Sequence, residues 1–190
     1  MKIAVLFASN RHGGKHEEIK QMLLSLPLPH EYDFIEMADY EITHCKQDCP
    51  GCVIKSEHRC LFGDDFEEIQ ARLVSADRNM IVVPAYCPYP SKFTALMEKL
   101  LGSCYLTENK PLKNKPTSIF CYCSCKIVDD TGLKILWQKY LMDDGYSFTE
   151  PNYPFLNPAF DEELNERFDR DITQYIRDFM LTAGNPDFVQ

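Results

Sequence analysis

No apolar run in this 190-residue chain approaches the length needed to cross a bilayer, so no membrane partner is expected. The net charge is −9, which removes the basic surface that a general nucleic-acid binder requires. A G-x-G-x-x-G turn is missing, and with it the dinucleotide fingerprint. A P-loop is missing too, because Gly13-Gly14-Lys15-His16 lacks both the spacing and the hydroxyl. Receiver domains need acidic residues at strand ends, and none stands at Ala8-Ser9 or Pro84-Ala85. A cysteine-nucleophile phosphatase needs a cysteine opening the first turn. Ser9 is there instead, with no base paired to it in sequence. Repeats, low-complexity tracts and interdomain linkers are absent, so residues 1–190 read as a single domain.

Cysteine is not scarce. There are nine, an odd number. Met1-Lys2 leads straight into an apolar run, so no secretory leader is expected. Reduced thiols in a cytoplasmic protein follow, rather than a disulfide framework.

The chain is organised around its first sixteen residues. Lys2 to Phe7 is a short apolar run, as in a strand buried on both faces at the centre of a parallel sheet. Ala8 to His16 forms a turn with Gly13-Gly14, and a helical pattern begins directly after it. Helix N-termini favour anions. Ser9 adds a hydroxyl, and Arg11, Lys15 and His16 add positive charge, so the turn reads as a phosphate cradle. The alternative is a plain βα turn, with the glycines present only for backbone freedom.

Further elements follow in order. Ile19, Met22, Leu23 and Leu26 mark a helix ended by Pro27 and Pro29. Tyr32 to Met37 alternates as an outer strand would. Residues 38–63 form a cysteine-bearing insert without a period. Asp64 or Asp65 caps a helix with Phe66, Ile69 and Leu73 on one face. Asn79 to Pro84 is a buried strand. Ser91 then caps a helix carrying Phe93, Leu96, Met97 and Leu100, with Gly102 as its stop. Thr117 to Cys123 is the fourth strand, a helix starts at Asp129 or Asp130, and Gly145 to Phe148 is a short fifth strand. A Pro-rich loop from Glu150 to Phe160 precedes a last helix, Asp161 to Phe179, so the C-terminal loop and helix span about 150–180.

Strands alternating with helices predict a doubly wound parallel sheet of order 2-1-3-4-5. Its switch point lies between the first and third strands, where ligands bind. The Ser9–His16 turn and the loop after Pro84 both end there. A mononucleotide suits that crevice: phosphate in the first turn, a flat ring over the second. Tyr86 and Tyr89 suit the ring, and backbone N–H groups around Ala85–Cys87 suit its polar edge, although both tyrosines are equally ordinary packing residues.

These residues resemble a known family. Ala8-Ser9-Asn10-Arg11-His12-Gly13-Gly14 matches a small-Ser-x-Arg-x-x-Gly turn, and Pro84-Ala85-Tyr86 matches a Pro-x-Tyr after the third strand. Cys49-Pro50-Gly51-Cys52, followed by Cys60 and Gly63-Asp64-Asp65-Phe66, matches a cysteine segment leading into Asp-Asp-hydrophobic, and Glu98-Lys99 stands where an Asp-Arg pair is usual. The set, from Met1 to about Leu101, is similar to the flavodoxin-like NAD(P)H-dependent FMN reductases, including their iron–sulfur flavoprotein branch.

The resemblance implies a flavodoxin-like three-layer α/β sandwich that binds FMN. The phosphate would lie on Ser9, Asn10, Arg11, Gly13, Gly14, Lys15 and His16. The ring would lie on Pro84, Ala85, Tyr86, Cys87, Pro88 and Tyr89, with Ser124 near the third ligand loop. Hydride would pass from NAD(P)H to the flavin and electrons to an acceptor, with no side chain needed as general acid. Lys15-His16 departs from the usual Asn-Thr or Asn-Ser, and the charge of Lys15 and His16 is expected to replace the lost hydroxyl. Cys87-Pro88-Tyr89-Pro90 departs from a smaller loop and narrows access to the ring.

Cys45, Cys49, Cys52 and Cys60 are candidate ligands for an iron–sulfur cluster, in which case the protein is an electron carrier. Their C-x3-C-x2-C-x7-C spacing departs from the branch's C-x2-C-x2-C, with Lys55 in the third position. Zinc with His44 or His58, or plain buried thiols, are the other readings. Cys121, Cys123 and Cys125 alternate and read as core thiols. A flavodoxin-like binding module without cofactor is the remaining alternative. Tyr153, Phe155 and Phe160 predict an oligomer contact, and family members commonly form homodimers or homotetramers.

Overall fold

The computed structural model describes residues 1–46, 60, 63–84, 89–105, 112, 115–123, 155–156 and 174. Five parallel strands form one sheet in the order β2-β1-β3-β4-β5. They are β1 (Lys2–Phe7), β2 (Glu31–Glu36), β3 (Arg78–Pro84), β4 (Thr117–Cys123) and β5 (Phe155–Leu156). Helices α1 (Lys15–Ser25), α2 (Phe66–Ser75) and α3 (Ser91–Tyr105) connect them, and a 3-10 turn, Met37–Asp39, follows β2. Among the described residues, no helix is long and apolar enough to cross a membrane.

β1 is central because both its faces are apolar. Ala4, Leu6 and Ala8 pack with Phe66, Ile69, Leu73, Phe93 and Leu96 of α2 and α3. Ile3, Val5 and Phe7 pack with Ile19 and Leu23 of α1. A period of two on a strand sends alternate side chains into opposite layers, and here both layers exclude water. β2 lies at the edge, where Ile35 is buried, Glu31 at the start of the strand is exposed and the residues between them are half-buried. Arg72 of α2 fastens it, pairing with Asp33 and donating from Nη2 to the Phe34 carbonyl at 2.7 Å.

Three expectations need correcting. Gly102 does not stop α3, which continues to Tyr105: one glycine costs a helix only about 1 kcal/mol, and its neighbours carry the pattern through. Ser91 is not the cap of α3 but its first residue, and the Lys92 N–H is met at 3.3 Å by Oδ1 of Asn10, in the β1 turn. The fifth strand is Phe155–Leu156, inside the stretch read as a Pro-rich loop, pairing with Tyr122 and Cys123. Two residues are too few to show a period. Gly145 to Phe148 and the helix from Asp129 lie outside the described residues. So does the last helix apart from Gln174, which is helical.

Candidate functional site

The β1–α1 turn lies at the carboxyl edge of the sheet, against β3: the Ala8 N–H donates to the Val82 carbonyl at 2.9 Å. Gly13 and Gly14 both have positive φ, 79° and 68°. With ψ at −146°, Gly14 occupies backbone space that is essentially reserved for glycine. It is also the N-cap of α1 and provides no side-chain cap. The first intrahelical bonds run from Glu17 and Glu18 N–H back to the Gly14 carbonyl. N–H groups ahead of them have no partner within the helix and point out of its end, as in an anion site.

The side chains around this end divide into two sets. Ser9 Oγ accepts the Arg11 N–H at 3.1 Å, which leaves its hydroxyl proton for an acceptor outside the turn. Arg11 is exposed. These two suit a phosphate. Asn10 has another task. Its Nδ2 donates to Ser91 Oγ at 3.0 Å while its Oδ1 takes the Lys92 N–H, so it ties the first turn to the start of α3. The two sides of the crevice between β1 and β3 are thereby joined. Lys15 forms a 2.6 Å ion pair with Glu18, one turn along α1.

His16 does not supply the positive charge expected of it. It is 5% exposed, its ring 5.0 Å from that of Phe7 and edge-on to Tyr122 at 5.8 Å. Burial pulls its imidazole from 6.5 down to about 4; Glu36 opposes the shift and Arg11 adds to it. It is therefore neutral near pH 7. Its Nε2 is buried without a hydrogen-bond partner among the described residues.

One contact carries no signal in sequence spacing. His12 Nδ1 lies 3.0 Å from Glu36 Oε2, and Nε2 lies 3.1 Å from Asp39 Oδ1. Lys20 holds the other oxygen of Glu36 at 2.6 Å, and this hydrogen bond outweighs burial to keep the carboxyl below its usual range. Glu36, the last residue of β2, thus faces the Lys20 ammonium, and it shares the His12 ring with Asp39.

On the other side of the crevice, Pro84 ends β3, buried and paired in register with Tyr122. Tyr89 is half-buried, edge-on to Phe93 with ring centroids 6.2 Å apart. Ala85, Tyr86, Cys87, Pro88 and Ser124 lie outside the described residues.

The cysteine segment begins on a stitched stretch. Glu41 N–H donates to Asp65 Oδ2 at 2.6 Å, Thr43 N–H to Asp64 Oδ2 at 2.8 Å, and Cys45 N–H to Glu98 Oε2 at 3.1 Å. Every second N–H thus meets a carboxylate. Asp64 also takes the Thr43 hydroxyl, the Phe66 N–H and the ammonium of Lys99, which is 2% exposed. Burial pushes the Asp64 carboxyl up, but these donors outweigh it and hold it below the usual range. The Asp-Asp and Glu98-Lys99 motifs are therefore two halves of one clasp, buried at its Asp64–Lys99 pair. Cys45 and Cys60 are half-buried, and Cys60 packs against the α2–α3 core. Cys49, Cys52 and His58 lie outside the described residues, and His44 is exposed, 3.7 Å from Glu98. Cys121 is a buried thiol, as expected.

Comparison with known proteins gives a consistent answer. A family model described as NADPH-dependent FMN reductase matches residues 1–127. An iron–sulfur flavoprotein of Methanosarcina thermophila is 29% identical over 118 residues, 60% of this chain and 59% of that relative. The match thus spans less than two thirds of the relative's length. Among solved structures, a flavone reductase superposes with a TM-score of 0.68 at 14% identity, covering 100% of this chain and 65% of that one. An NAD(P)H:quinone oxidoreductase from Methanothermobacter marburgensis superposes at 0.60 with 13% identity, covering 97% and 98% of the two chains. The structural likenesses carry the fold and the family match carries the kinship: this chain belongs to the NADPH-dependent FMN reductase family.

Proposed function

We propose that this protein binds FMN at the carboxyl edge of its sheet and passes electrons from NAD(P)H through the flavin to an acceptor. The observation that carries the reading is the open end of α1. A glycine turn leaves first-turn N–H groups uncapped, beside a Ser9 hydroxyl with its proton to donate and an exposed Arg11. A phosphate monoester fits this donor set. FMN held there would supply the redox chemistry, as acceptor of hydride from a nicotinamide. The chain's own residues orient and hold. Arg11 and Ser9 fix the phosphate, Asn10 keeps the two sides of the crevice together, and the Pro84–Tyr89 stretch bears the ring. No residue is assigned a proton transfer. A reducing cytoplasm and a homodimer or homotetramer go with this reading, and a monomeric mass in solution would remove the second.

An absorption spectrum of protein purified without air, before and after NADPH, tests the activity. Twin flavin bands that bleach are expected, whereas a colourless protein that takes up no added FMN ends the proposal. Arg11→Ala removes a charge-assisted hydrogen bond of about 1.5–3 kcal/mol, so FMN affinity should drop at least tenfold in a fluorescence titration.

A second reading adds an iron–sulfur cluster on Cys45, Cys49, Cys52 and Cys60, making the protein an electron carrier. It is favoured by the half-buried Cys45 and Cys60 that flank the segment and by the iron–sulfur flavoprotein relative. Stoichiometric iron and sulfide support it, and rapid bleaching by NADPH in iron-free protein counts against it.

A further inference from the structure

Lys92 stands where its own helix gains least from it. It is the second residue of α3, and the first turn of that helix carries no acid. A helix N-terminus is a positive end, so a cation there is unfavourable unless something outside the helix answers it. The answer comes from the loop after β2. Lys92 Nζ donates to the Tyr40 carbonyl at 2.6 Å and to the Ala38 carbonyl at 3.4 Å, and lies 3.6 Å from Glu41 Oε1. An ammonium has three protons, and here three acceptors surround it. The backbone N–H of the same residue is met by Asn10 Oδ1, in the β1 turn. Three segments of the carboxyl rim thus meet at Lys92: the β1 turn, the β2 loop and the start of α3. Thr94 carries the tie back along the chain, since its N–H and hydroxyl both donate to the Pro90 carbonyl, at 2.9 and 3.2 Å.

We propose that Lys92 is a positioning residue for hydride transfer, its ammonium bridging two carbonyls of the β2 loop so that α3 holds the ring-bearing stretch in place. The inference rests on the FMN reading above, and it concerns the ring rather than the phosphate. The stretch Pro84–Tyr89 is anchored upstream by Pro84, buried in β3 and paired in register with Tyr122. Downstream it runs into Pro90, which α3 holds through Thr94. The placement of that end therefore follows the placement of α3, and Lys92 sets α3 against the β2 loop. The hydride carries two electrons and a proton from nicotinamide to flavin, and Lys92 neither gives nor takes an atom in that step. Its part is distance. Transfer needs the reacting atoms about 3–3.5 Å apart, and a misplacement of about 1 Å costs on the order of a hundredfold in rate. Affinity is spread over phosphate and ring together, so it responds less to the same shift.

The test compares wild type with Lys92→Met, which keeps the stem and removes the ammonium, and Lys92→Arg, which keeps charge and donors. Each is titrated with FMN by fluorescence, and each apo form is melted. The rate at which saturating NADPH bleaches the bound flavin is then read by rapid mixing. In Lys92→Met that rate should fall about tenfold and the absorption bands of the bound flavin should shift, while FMN affinity stays within about threefold. Lys92→Arg should recover most of the rate. A Lys92→Met protein that melts lower yet keeps the wild-type rate and bands has lost a structural tie only, which overturns the inference. So does a loss of FMN affinity with the rate unchanged, because Lys92 would then act in binding. In case Lys92→Met misfolds, Lys92→Gln takes its place. Its shorter side chain cannot bridge both carbonyls, so the rate should again fall, and a wild-type rate overturns the proposal. A wild type that takes up no FMN removes the FMN reading and this role together. One that binds FMN but is not bleached by NADPH removes the nicotinamide step and this role, and leaves FMN binding intact.

Discussion

Two loops leave the same edge of the sheet from neighbouring strands, and they treat their polar groups in opposite ways. After β2, the N–H groups of Glu41, Thr43 and Cys45 are met by Asp65, Asp64 and Glu98, and Lys92 Nζ donates to the Tyr40 carbonyl at 2.6 Å. After β1, the turn leads into a helix with no side-chain cap, and a buried imidazole nitrogen has no partner among the described residues. Unsatisfied buried groups are rare in folded proteins, because each costs about as much as a hydrogen bond contributes. Among the described residues, the first loop meets its N–H groups with its own carboxylates, and the second leaves donors that the proposed phosphate would meet.

The contrast can be broken at several points. Asp64→Ala removes the centre of the clasp and leaves the Lys99 ammonium buried and unpaired. Stability should drop by about 3–5 kcal/mol in urea denaturation, while flavin affinity of the folded protein holds. A small loss would mean that the β2 loop is not held by its carboxylates.

Acid provides the next test. The unfolded chain binds a proton at His16 near pH 6.5, and the folded chain refuses it until about pH 4. Between those values the unfolded state holds more protons, so stability falls as pH falls, by roughly 3 kcal/mol in all. Asp33, Asp64 and Glu36 have lowered carboxyls and add a further loss at lower pH. His16→Phe should abolish the first step and keep the second. An unchanged profile between pH 6.5 and 4 would show that the ring protonates in place.

Gly14→Ala places a Cβ in open space, with no atom within 4 Å, so its cost is the backbone alone. About 1–3 kcal/mol is expected, with a larger proportional loss of FMN binding if the turn relaxes away from its present shape. Asn10→Ala is the mildest change. Two exposed hydrogen bonds are lost, costing about 1 kcal/mol or less by thermal melting. Its effect should show more in the tightness of flavin binding than in the fold.

Much of the sheet was legible because burial on both faces leaves a plain mark. Lys2–Phe7 and Thr117–Cys123 are apolar runs with clear ends, and both are strands over those residues. The turn was legible through its glycines. The ties across the crevice were not: Asn10 reads as a phosphate ligand and Ser91 as a helix cap, and nothing in a separation of 81 residues joins them. His16 was misread for a related reason. Its chemistry depends on Phe7 and Tyr122, which only the fold brings beside it. The Asp64–Asp65 and Glu98–Lys99 motifs were visible as motifs, but what joined them was a three-dimensional fact.

The stitch between Glu41 and Asp65 has a consequence for how the chain can change. Glu41 and Asp65 exchange two hydrogen bonds, N–H to carboxylate and carbonyl to N–H, and so close the cysteine-bearing segment at its neck. Closing a loop costs entropy that grows only with the logarithm of its length. A neck fastened by the scaffold makes the segment beyond it a cassette: residues can be added, removed or exchanged there with little burden on the sheet. Cysteines can thus be gained or lost in this segment while the Glu41–Asp65 neck stays as it is.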